Sequence, residues 1–142
     1  MKKLMGSLSM TALAVLLASP VSAQAPMQRA SVPFEFIVDG HTLPAGDYMV
    51  TKINDVGYLA LRNESTGIAP IAISTIPPGG NLGASGVESL TFHRYGSDYF
   101  LASIWDGYTN RGFSVPMSRA EKERANEASL SKPEVVMVLA RR

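Results

Sequence analysis

Residues 31–50 read SVPFEFIVDGHTLPAGDYMV, and the fold class turns on this stretch. Val32, Phe34, Phe36 and Val38 recur at every second position, with Glu35 and Ile37 between them, which is the period of a strand with one buried face. Pro33 has no amide hydrogen, so it belongs near the start of that strand or on an edge. Asp39-Gly40 then supplies turn chemistry, because glycine accepts positive φ without a Cβ clash and aspartate tolerates it. His41 to Leu43 is a brief extended piece. Pro44-Ala45-Gly46 reads as a second turn, and a strand over about Asp47 to Ile53 follows. Every unusual residue in the stretch has a structural duty that needs no ligand, so it is scaffolding.

The pattern continues outward. Asn54 to Gly57 turns the chain into a strand over Tyr58 to Arg62; Asn63 to Gly67 turns it again into a β-branched run over Ile68 to Ile76. Pro77-Pro78-Gly79-Gly80 opens a surface loop that reaches about Gly86. Glu88 to Tyr95 and Tyr99 to Asp106 flank Gly96-Ser97-Asp98 as a three-residue hairpin. Strict alternation on its second strand puts Leu101 and Trp105 on one face and Phe100, Ala102 and Ile104 on the other, so this strand is central or covered. After a loop at 107–112 and a short extended Phe113-Ser114-Val115, Ser118-Arg119-Ala120-Glu121 matches a capping box, in which the serine side chain takes an exposed helix donor and the glutamate reaches back to the serine amide. It opens one short polar helix to about Ser129. Pro133 follows its end, and Glu134 to Ala140 is an apolar run of strand length, expected as a final buried strand. The chain therefore reads as mainly β: a single antiparallel β-sandwich or small β-barrel of seven to eight strands over residues 31–142.

At 142 residues there is room for one domain. Lys2 and Lys3, the apolar run Leu4 to Leu17 and the small residues of Val21-Ser22-Ala23 match a secretory signal peptide over 1–23, cleaved after Ala23, with Ala25 as a second possible cut. Ser7, Ser9, Thr11 and Pro20 interrupt a segment already short for a bilayer, so no stable membrane anchor is expected after cleavage. Residues 24–30 read as a linker. The chain contains no cysteine, which excludes disulfides, lipid-modified cysteine, thiol nucleophiles and thiolate metal sites. Loss of Lys2 and Lys3 turns a formal net charge of +1 into eleven basic against twelve acidic residues, a balance with no electrostatic pull toward nucleic acid.

Candidates for chemistry are sparse. His41 and His93 stand alone on different strands, and metal sites without cysteine need several converging ligands, so neither a metal nor a cofactor is expected. His93 shares its strand face with Thr91 and Tyr95 and reads as a surface or hydrogen-bonded histidine. Gly83-Ala84-Ser85-Gly86 lacks nucleophile-elbow spacing, Ser129-Leu130-Ser131-Lys132 lacks the companion elements of an S-x-x-K enzyme, and Pro77-Pro78-Gly79-Gly80 opens no helix that would cradle phosphate. Asp39, Asp47, Asp55, Asp98 and Asp106 lie at turns or strand ends, where aspartate caps its own backbone. No catalytic residue is assigned. The aromatics Tyr48, Tyr58, Tyr95, Tyr99, Trp105 and Tyr108 offer a ligand or partner surface, against the simpler reading that they form cross-strand pairs.

Val32-Pro33-Phe34-Glu35-Phe36-Ile37-Val38, Leu43-Pro44-Ala45-Gly46-Asp47-Tyr48, Phe92-His93-Arg94-Tyr95-Gly96 with Tyr99-Phe100-Leu101, and Ser118-Arg119-Ala120-Glu121 together resemble a group of small exported bacterial proteins of unknown function. The Pro-Phe-x-Phe and Leu-Pro-Ala-Gly-x-Tyr pieces are the more specific. The resemblance implies an exported β-rich domain, and carries no catalytic or binding residues with it. The expectation is a soluble, non-enzymatic β-domain, periplasmic or extracellular, acting by binding or assembly on an envelope protein or a carbohydrate. Two alternatives stand beside it: a small-molecule carrier with an apolar barrel cavity, and a small hydrolase using turn carboxylates.

Overall fold

The structure is a computed structural model that describes residues 26–66, 71–75, 87–107, 109, 111–128 and 132–141. The expected signal peptide, Gln24 and Ala25 of the expected linker, the loop at 77–86, both ends of the expected Ile68 to Ile76 strand, and Tyr108 lie outside the described residues. In chain order the elements are β1 (Gln28–Val32), β2 (Phe36–Val38), β3 (His41–Leu43), β4 (Gly46–Lys52), β5 (Tyr58–Asn63), β6 (Ile71–Ser74), β7 (Ser89–Tyr95), β8 (Asp98–Asp106), β9 (Arg111–Ser114), α1 (Arg119–Glu127) and β10 (Glu134–Arg141).

The strands form one sheet in the order β3-β2-β8-β7-β10-β1-β4-β5-β6, with β9 beside β8. It curls into an open half-barrel. Phe36 on β2 and Tyr48 on β4 are far apart in that order, yet their rings meet at 5.1 Å across the interior. The chain is mainly β, as expected, but with ten strands among the described residues rather than seven or eight. It is not wholly antiparallel either, because β2 joins β8 in parallel at Ile37↔Phe100.

The extra strand has a cause in the opening stretch. Val32, Phe36 and Val38 all face the core in phase, but the ladder breaks at Pro33-Phe34-Glu35. β1 pairs with β4 and β10 in one half of the sheet; β2 pairs with β3 and β8 in the other. The crossing falls where proline has no amide to pair. Asp39 (φ 47) and Gly40 (φ 77) make the tight turn into β3. The linker reading of 24–30 needs correction: β1 begins at Gln28, and Gln28, Ala30 and Val32 are buried in alternation with exposed Arg29 and Ser31.

Three further expectations change. The β7–β8 hairpin closes with a two-residue turn, Gly96-Ser97, since Tyr95 pairs with Asp98. On β8 the alternation is interrupted by a bulge: Thr91 pairs with Ser103 but Phe92 with Leu101, leaving Ala102 as the extra residue. The Ala102 carbonyl accepts the Val115 amide instead, at 2.8 Å. Past the bulge the faces swap, so Leu101 and Ile104 point inward together while Phe100 and Trp105 share the outer face. Both faces of β8 are covered, as expected. β10, by contrast, is not a buried strand. It is central in the sheet, and Val136, Val138 and Ala140 pack against the core, but Val135, Met137 and Leu139 on its outer face are 62%, 50% and 66% exposed.

α1 lies on the outer face of β7 and β8, held by Arg124 to Asp98 at 2.8 Å and by Glu121 to His93 Nδ1 at 2.8 Å. Half of the capping box forms: the Ser118 hydroxyl accepts the Glu121 amide at 3.1 Å. The Glu121 side chain, nearly fully buried, turns to His93 rather than back to the Ser118 amide, so the box glutamate docks the helix instead of closing its own turn. Among the described residues no helix is long and apolar enough to cross a membrane.

Candidate functional site

The strand register gives the half-barrel two unlike ends. At the end where β1 finishes, β4 begins and β7 turns into β8, aromatic side chains fill the interior. Phe34 stacks on Tyr99 at 3.9 Å and meets Phe92 edge-on at 5.1 Å; Phe36 meets Phe92 and Tyr48 edge-on. The Tyr48 hydroxyl donates to the Pro44 carbonyl at 2.5 Å, and burial pushes its pKa up. Gly46 sits here with φ 157, where a Cβ would lie 3.0 Å from Asn63 Nδ2. The Asn63 carbonyl oxygen is itself pinned by the amides of Ser65 and Thr66.

At the opposite end, inward-facing positions turn polar. Gln28 is in phase with Ala30 and Val32 on β1, and Lys52 with Tyr48 and Val50 on β4. Asp106 is in phase with Ile104 on β8, and its partner Arg111 with Phe113 on β9. These four strand ends surround a cleft of about 480 Å³ at the mouth of the half-barrel. Met27, Pro26 and Phe113 form its apolar walls; Lys52, Asp106, Thr109 and Arg111 supply the polar groups. Its size falls in the range of roughly 300–1,000 Å³ usual for small-molecule pockets, and barrel mouths are among their common places.

The polar groups differ in how far they are already answered. Asp106 is buried and accepts the Thr109 hydroxyl at 2.6 Å. Lys52 pairs with exposed Asp55, and the Lys52 hydrogen bond and charge, with a smaller contribution from Arg111, hold the Asp55 carboxyl below the usual carboxylate range. Arg111 makes no ion pair with any described residue. Gln28, next in the chain to the wall residue Met27, is wholly buried with neither amide atom hydrogen-bonded to any described residue. An unmet buried amide costs about 1–3 kcal/mol, so its place in an otherwise apolar row stands out.

The aromatics named from sequence do not form one surface. Tyr48 lies in the core and Tyr99 faces inward on Phe34. Tyr95 packs on Phe100 on the outer face under α1, where burial and the Glu121 charge raise its pKa. Trp105 is buried on that face with its indole N–H unpartnered among the described residues, while Tyr58 is exposed on β5. Cross-strand pairing has distributed them over both faces. Of the turn carboxylates, Asp47 accepts from Ser31, Asp55 from Lys52, Asp98 from Arg124 and Asp106 from Thr109. Asp47 and Glu64 do share a shallow groove with Arg29 and Arg141, but Glu64 is already bridged to Arg29 at 3.3 Å. His93 is hydrogen-bonded, as read from the sequence. Among the described residues no three of His, Asp and Glu converge as a metal site would need. No barrel chamber opens in the described interior; the recess beside Tyr48 and Leu61 holds only about 30 Å³.

Sequence reasoning passed over Gln28 as linker, Lys52 as strand end and Arg111 as loop, and took Asp106 only as a turn aspartate. The signal was present as polar residues in phase with apolar ones on β1 and β4. It could be used only once the register of β1 was known. Comparison with known proteins finds no family model, curated protein or solved structure that matches the chain.

Proposed function

We propose that this protein is an exported, non-enzymatic β-domain that works by binding, in the periplasm or outside the cell, and takes a small ligand at the mouth of its half-barrel. Export rests on the signal-peptide pattern of residues 1–23 and on the resemblance to small exported bacterial proteins. The observation that carries the binding reading is the set of inward-facing polar residues Lys52, Asp106 and Arg111 around one cleft, with the buried Gln28 next in the chain to its wall residue Met27. Proteins that break the apolar-inside pattern commonly do so at working sites and compensate elsewhere in the fold. Thermal unfolding of the protein against a panel of small carboxylates, amines and sugars tests it. At least one class should raise the midpoint in the wild type and do so less in Arg111→Met; a panel with no stabilising class contradicts the reading. Amino-terminal sequencing of the exported protein should begin at Gln24 or Pro26.

Assembly is a second reading, favoured by the bare Val135, Met137 and Leu139 on β10. Sedimentation velocity of the wild type beside Met137→Lys decides it. A larger species lost in the variant supports assembly, and monomers in both refute self-assembly through this face.

A further inference from the structure

We draw no further inference here: the strongest candidate, the exposed apolar row Val135, Met137 and Leu139 on the outer face of the central strand β10, carries nothing beyond the assembly reading above, because nothing in the structure shows what covers it.

Discussion

The two ends of the half-barrel are built from the same inward-facing positions of the same strands, and they are opposites. On β1 and β4, Val32 and Tyr48 lie at one end and Gln28 and Lys52 at the other. The first end is closed by Phe34, Phe36, Phe92 and Tyr99 in edge-on and stacked contact. The second is left open, with a wholly buried Gln28 amide that finds no hydrogen bond among the described residues and with the charged Lys52, Asp106 and Arg111 around it. The aromatic end too holds a buried atom unmet among the described residues, Asn63 Nδ2, so the difference between the ends lies in their contacts: aromatic packing is concentrated at one and inward-facing charge at the other.

That contrast yields graded outcomes. Phe92→Ala removes the ring on which Phe34 and Phe36 both rest, and should cost about 3–5 kcal/mol, read from the denaturant midpoint. Gly46→Val puts a β-branched residue at φ 157 with its Cβ against pinned Asn63, and should cost about 1–3 kcal/mol. Tyr48→Phe removes the donor to the Pro44 carbonyl, for about 1 kcal/mol near neutral pH. It has a pH signature too. Burial raises the Tyr48 pKa above its ordinary value of 10.0, so the neutral phenol contributes stability that is full below that value and is lost as pH rises through the folded one. Stability of the wild type should therefore fall on the alkaline side of pH 10, and less steeply in Tyr48→Phe. At the mouth, Lys52→Met breaks a surface ion pair and should change stability by under about 1 kcal/mol. A loss at Lys52 as large as that at Phe92 would erase the distinction between the ends.

Much of the closed end was legible in the sequence. The inward phase of Val32, Phe36 and Val38, the Asp39-Gly40 turn and the helix cap at Ser118 follow from local chemistry, and local chemistry is what a sequence displays. Errors arose where register or neighbours decide. The bulge at Ala102 shifted half of β8 onto the other face, and no residue type announces it. β8 and β10 look alike as apolar runs, yet α1 lies over β8 and leaves the outer side of β10 bare, because Glu121 and Arg124 find their partners on β7 and β8. An apolar run marks a central strand; what covers it is set by contacts distant in sequence. The mouth was missed for the same reason. Its residues come from four strand ends, and Gln28 and Arg111 sit in segments whose composition reads as linker and loop.

Gln28→Met tests the central claim, that the mouth is kept polar for a ligand and not for the fold. Methionine conserves the length of the side chain and removes both unmet polar atoms. If the amide serves binding, unliganded Gln28→Met should be more stable than the wild type by about 1–3 kcal/mol in denaturant unfolding. If the variant is instead less stable, the amide is part of what holds the half-barrel together, and the claim is wrong.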